Sequence, residues 1–139
     1  MGLVYEEITL KNVYDVEMCD HGLIKKSEVR QITVQALVDT GASTLVINEE
    51  IRKKLGLGIK GKRYATLANS KKDVCKITDG VEIIWKDRST IVSPLVVSEN
   101  GTVLLGAIPL EGMDLIVDPS KQTLIGAHGK EIRFHIMCA

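Results

Sequence analysis

The sequence has little with which to build a disulfide framework, a metal centre or a membrane span. Its three cysteines, Cys19, Cys75 and Cys138, are odd in number and lack metal-ligand spacing. They read as reduced structural or surface thiols in a reducing compartment. His21, His128 and His135 lack the i, i+4 spacing of a helical zinc-protease motif, so no metal is expected. His128 sits in a turn-like Gly126-Ala127-His128-Gly129, and His135 alternates with Phe134 and Ile136. No run approaches the roughly 18 to 20 apolar residues that cross a bilayer. Met1 to Glu7 lack the basic and apolar regions of a signal peptide, which makes a cytoplasmic location without membrane association the expectation. Gly2 could begin a myristoylation motif, but Glu6 stands where that motif needs Ser or Thr.

An excess of positive charge is also missing. Lys and Arg total 18 against 18 for Asp and Glu, so there is no net field to draw a phosphate backbone, and nucleic acid is not an expected partner. The basic clusters Lys53-Lys54, Lys60-Gly61-Lys62-Arg63 and Lys71-Lys72 are short and scattered and read as solvated surface. Trp85 is the only tryptophan and packs best in a strand interior, because one aromatic makes no stacking platform for bases. The glycines form neither a phosphate loop nor a dinucleotide fingerprint.

What remains is a chain of 139 residues, 45% hydrophobic and 26% charged. That length suits one domain over residues 1–139 burying about two-thirds of its unfolded surface. Short strand-like runs separated by turn signals dominate. Residues 2–18 and 28–38 read as strands joined across Cys19-Asp20-His21-Gly22, and residues 62–68 and 73–78 as a hairpin with Asn69 to Lys72 at its tip. Asp79-Gly80 turns that pair into Val81 to Trp85. Asp87-Arg88, Glu99-Asn100-Gly101 and Asp118-Pro119 mark later turns, and Thr123 to Ile125 and Glu131 to Phe134 read as closing strands. A short helix is signalled by Asn48 as N-cap, Glu49 and Glu50 in the first turn, Lys53 and Lys54 in the last, and Gly56 as the stop. A second lies around Pro109 to Glu111. Many short strands and few helices predict an all-β barrel or closed sandwich.

Chemistry concentrates in Leu37-Val38-Asp39-Thr40-Gly41-Ala42-Ser43. The preceding strand alternates, with Val29, Ile32, Val34 and Ala36 interspersed by Arg30, Gln31, Thr33 and Gln35, so Asp39 ends a half-buried element, where a carboxylate is costly unless used or paired. Hydrolysing an amide needs acid and base together, and two carboxylates sharing one proton supply both. Around Asp39, Thr40 offers a hydroxyl to brace a partner backbone and Gly41 removes bulk where substrate or a second chain approaches. Ala42 keeps the floor narrow, and Ser43 can position polar groups beside the carboxylate. An ordinary turn in which Asp39 caps backbone amides explains the bare tripeptide at least as well.

Ala36 to Ser43 resembles the active-site signature of retropepsin-like aspartic proteases, and Val103-Leu104-Leu105-Gly106 resembles that family's second, apolar-apolar-Gly signature. Gly106 to Pro119 is similar to the tail of small prokaryotic members. Tyr64 to Ser70 followed by Val74 to Ile77 is similar to the flap hairpin. The ordered set spans roughly residues 30 to 119 and is more specific than any one motif. Two departures are Lys71 and Lys72 at the flap tip, where viral members are glycine-rich, and extra length at both ends. The resemblance implies a closed barrel with a flap hairpin and one or two short helices. It implies Asp39, Thr40 and Gly41 as catalytic residues; Ala42, Ser43, Leu67, Ala68, Asn69 and Ser70 as substrate-binding; and Leu104, Leu105 and Gly106 as support. With a single Asp-Thr-Gly in the chain, it further implies a homodimer that brings Asp39 of two subunits together on a peptide or protein substrate and needs no organic cofactor. A dimer of the same fold that binds peptides without cutting them, and a purely structural dimer, are the competing readings.

Overall fold

The computed structural model describes residues 2–66, 72–97 and 101–136. It is mostly β, with short helices. The strands are β1 (Tyr5–Asn12), β2 (Gln31–Val38), β3 (Leu45–Asn48), β4 (Ile59–Thr66), β5 (Lys72–Thr78), β6 (Val81–Trp85), β7 (Arg88–Val92), β8 (Leu95–Val97), β9 (Val103–Leu105), β10 (Leu115–Asp118) and β11 (Thr123–Gly126). The helices are α1 (Val13–Asp20), α2 (Glu49–Leu55) and α3 (Ala107–Gly112), with a 3-10 turn at Lys26–Glu28. Among the described residues no helix is long and apolar enough to cross a membrane.

Nine strands form one sheet in the order β4-β5-β8-β3-β9-β2-β1-β6-β7, and β10 and β11 form a separate antiparallel pair. Period-two burial explains this arrangement. Ile8 and Leu10 of β1 and Val81, Ile83 and Trp85 of β6 are buried, and Leu10 sits directly opposite Ile83. Ala36, Leu45, Ile47 and Leu105 extend the same core, joined by Ile51 and Leu55 of α2 and Leu110 of α3. Each fully buried Leu or Ile side chain contributes about 2 kcal/mol. The expected closed barrel is not seen. The sheet has two ends, β4 and β7, and among the described residues no ladder joins them.

The first predicted strand is too long, because the chain leaves the sheet at Asn12. The Asn12 side chain accepts the N–H of Asp15 and starts α1, and its amide donates to Leu55 C=O at 2.7 Å, tying this corner to α2. The predicted closing strand at Glu131 to Phe134, with His135 in it, is also corrected. Among the described residues they pair with no strand beyond an isolated bridge between His128 and Glu131. The Arg133 N–H goes instead to the Asp114 carboxylate at 2.9 Å. Alternating side chains supply a strand pattern, but a strand also needs a neighbour to take its amides. Other elements agree with the sequence. Asn48 caps α2 by accepting the Ile51 N–H at 2.9 Å, and Gly56 ends it at φ 65°. The β4–β5 hairpin, the turn into β6, the β10–β11 pair and α3 are present.

Candidate active site

Strand β9 lies between β2 and β3, parallel to the first and antiparallel to the second. Since β2 and β3 are consecutive in the chain, residues 39–44 must arch over the end of β9. Asp39 begins that arch. Val38 pairs with Leu105, and the Asp39 N–H donates to Leu105 C=O at 3.0 Å. Asp39 C=O then accepts the Ala42 N–H at 3.1 Å, and its Oδ1 accepts the Gly41 N–H at 2.9 Å. The capping reading of Asp39 is therefore half right: one oxygen holds the turn. Among the described residues Oδ2 accepts no hydrogen bond.

The sequence Leu104-Leu105-Gly106 shapes the arch from beneath. Leu105 is buried and Leu104 half-buried. A Cβ on Gly106 would lie 2.4 Å from Thr44 O, 2.5 Å from Ala42 O and 2.8 Å from Thr44 N. These are backbone atoms, so only hydrogen fits there. Immediately afterwards α3 starts without a side-chain cap. Ala42 C=O accepts the Ala107 N–H at 2.8 Å and Ser43 C=O accepts the Ile108 N–H at 2.9 Å. The arch satisfies amides that a helix start leaves open, and the helix fixes the arch in return.

Asp39 and Ala42 are half-buried, and Thr40, Gly41 and Ser43 are exposed. A Cβ on Gly41 would come within 3.2 Å of Asp39 Oδ1, which links this glycine to the carboxylate's position. Thr40 borders two apolar clefts, of about 340 and 300 Å³. Gly2 to Val4, Val38 and Pro119 line the first, and Ala107, Leu110 and Leu115 to Val117 line the second. Asp39 borders neither. The structure thus brings Asp39 to Ser43 together with Leu104 to Gly106. Leu67, Ala68, Asn69 and Ser70 lie outside the described residues.

Sequence reasoning missed a polar cluster where β7 meets the end of α3 and residues 128–133. Arg88 is buried and donates to the carbonyls of Met113 and Asp114, both at 2.9 Å, and of Gly129. The Asp114 carboxylate accepts the Arg133 N–H, which chiefly holds its pKa below the ordinary value, and pairs with His128 Nδ1 at 2.7 Å. Asp87-Arg88 reads as a turn in sequence, and the carbonyls Arg88 serves lie too far along the chain to be visible from it. No cluster of three or more His, Cys, Asp or Glu arranged for a metal occurs among the described residues. Cys75 is buried, and that burial pushes its thiol pKa up.

A family model described as aspartyl protease matches residues 26–128. No curated protein sequence matches the chain. Among solved structures, it is similar to the retroviral protease-like domain of Ddi1 from Leishmania major. That match has a TM-score of 0.55 and 13% identity, covering 89% of this chain and 87% of that one. It is also similar to a retropepsin-like aspartic protease from Rickettsia conorii, with a TM-score of 0.52 and 17% identity over 84% of this chain and 77% of that one.

Proposed function

The chain belongs to the aspartyl protease family, and from that membership we propose that it is a homodimeric aspartic endopeptidase in which Asp39 of each subunit forms the catalytic pair. The observation that carries the reading is the state of Asp39. Its loop is braced by β9, Gly106 and α3, while its carboxylate gives only one oxygen to the turn. The chain contains a single Asp-Thr-Gly, so a second carboxylate must come from a second copy.

Two such carboxylates close together share one proton, because like charges resist double ionisation, and their titration belongs to the pair. The ionised one removes a proton from water as the water oxygen attacks the scissile carbonyl carbon. The protonated one donates to the carbonyl oxygen. Collapse of the tetrahedral species then passes a proton to the leaving nitrogen and breaks the C–N bond. In this reading Thr40 braces the opposite loop through its hydroxyl, and Leu104 and Leu105 form the apolar floor. Ala42, Ser43 and the segment Leu67 to Ser70 would meet an extended substrate, held by backbone bonding as in strand addition. The protein would act where it meets peptide or protein substrate, in the cytoplasm by the sequence expectation.

Sedimentation equilibrium across a concentration series tests the premise, and peptide-library cleavage with Asp39→Asn as control tests the chemistry. Self-association with cleavage lost in Asp39→Asn is expected. A persistent monomer would sink the mechanism. A dimer that binds peptides but leaves them whole would favour a binding module of the same fold.

A further inference from the structure

Lys62 belongs to one stretch of sequence and Lys72 and Lys76 to another, and the β4–β5 ladder brings them to one face, while Arg63, opposite Cys75, lies on the other. It sets Lys62 opposite Lys76, Tyr64 opposite Val74 and Thr66 opposite Lys72. Residues directly paired across an antiparallel ladder share a face, and every second residue returns to it. These six side chains therefore occupy one face. All are exposed, Tyr64 to 84%. The opposite face holds buried Cys75 with Ala65 and Ile77 half-buried, so the packing requirement of the hairpin is met there.

Setting Lys62 against Lys76 opposes like charges directly, which costs stability. Lysines on an end strand hinder unwanted edge pairing, and that accounts for Lys60 and Lys62 on β4. It does not account for Lys76, which lies on β5 and is paired on both sides, with Lys62 and with Val96. Nor is the charge absorbed locally. Glu49, whose carboxyl Lys76 helps hold low, is bonded first of all to Arg52, and Asp79 approaches Lys60 at 3.9 Å. Among the described residues no carboxylate forms an ion pair with Lys62, Lys72 or Lys76.

We propose that this face docks an extended acidic segment of a polypeptide partner, with acidic side chains at alternate positions on the lysine rows and an apolar side chain between them on Tyr64 and Val74. Rows two residues apart along a strand are separated by about 6.6 Å, which is also the repeat of same-side residues in an extended peptide. The partner therefore reads acidic-x-apolar-x-acidic. A local cationic face on a chain of zero net charge complements a short acidic run better than a phosphate backbone, which responds to a broad positive field. Tyr64 alone gives no stacking platform. Nothing in this surface depends on the chemistry of Asp39.

Fluorescence anisotropy on the full chain, in both the native and the Asp39→Asn forms, tests the surface. The probe is a labelled five-residue core of Glu, Thr, Leu, Thr, Glu flanked by serines. Saturable, salt-sensitive binding is expected in both forms, weakened at least about tenfold when Lys replaces both Glu or when the two Glu are moved to adjacent positions. Lys62→Glu places opposite charges across the ladder, so it is expected to raise the melting temperature of the protein while lowering affinity about tenfold, a combination that loss of folding cannot produce. Tyr64→Ser is expected to weaken binding about fivefold. The proposal is overturned if the acidic peptide does not bind, or if the Lys-substituted peptide binds as well. It is equally overturned if Lys62→Glu leaves affinity unchanged. Tighter binding of oligouridylate, or of vesicles of equal parts phosphatidylcholine and phosphatidylserine, would overturn it in favour of a different partner class.

Discussion

Asp15 and Asp39 each follow a strand of the main sheet, and the chain treats the two carboxylates in opposite ways. Asp15 is 2% exposed and has both oxygens occupied. It accepts Arg30 Nε at 2.8 Å, an Arg30 terminal nitrogen at 3.0 Å and the Arg30 backbone N–H at 3.0 Å. The Arg30 side chain holds its pKa below the ordinary value. Asp39 is half-buried and gives one oxygen to one backbone amide. A carboxylate whose acceptor capacity is used up inside its own chain fastens structure. One with an oxygen left over can accept a proton from water or share one with a second carboxylate.

The sharpest way to break this comparison is to remove each charge in turn. Asp39→Asn is expected to lower peptide cleavage about 10³-fold, while the unfolding free energy, read by urea titration, moves by less than about 0.5 kcal/mol. Retained cleavage would abolish the distinction. Gly106→Ala comes next, at about 3 kcal/mol of destabilisation, because its methyl would press on the Ala42 and Thr44 backbone. Thermal unfolding measures it, and cleavage should fall as well because the arch loses its support.

Asp15→Asn should show the reverse of Asp39→Asn, with about 2 kcal/mol lost from stability and kcat unchanged. Its pH dependence fixes the sign. The folded-state pKa of Asp15 is depressed, so its contribution is complete above the unfolded carboxylate value and is lost as pH falls through the folded one. The stability gap between the native chain and Asp15→Asn should therefore narrow only below about pH 4, as followed by circular dichroism in urea. The smallest effect is expected of Gly41→Ala. Its Cβ would sit 3.2 Å from Asp39 Oδ1, shifting the carboxylate by tenths of an ångström and lowering kcat about tenfold, with stability nearly unchanged.

These experiments also separate what local sequence reveals from what it hides. The Asp39 turn, the Asn48-capped helix and the β4–β5 hairpin are specified by neighbours in the chain, and they are legible in it. The placement of β9 beneath the arch was legible only through the resemblance of Val103 to Gly106 to a family signature. Helix α1 was hidden because Val13, Tyr14, Val16 and Met18 give no apolar face at helical spacing and look like strand residues. Its real signal is Asn12 with Asp15 three residues on, an N-cap followed by an acid in the first turn. The Asp15–Arg30 and Arg88–carbonyl contacts join distant segments, and no spacing rule exposes them. Likewise, the basic clusters look scattered until the ladder register puts Lys62 across from Lys76.

The threading of β9 also sets the order in which this protein can acquire its chemistry. Asp39 emerges well ahead of Leu105, whose carbonyl receives its amide, and of Gly106, the glycine that lets the arch close. That contact has high sequence separation, and contacts of this kind form late because the intervening loop must be closed first. A nascent chain halted before Val103 carries the Asp-Thr-Gly segment without the strand that shapes it. Maturation of the loop is thereby coupled to synthesis of β9, and a chain halted short of that strand carries the acid without the architecture to use it.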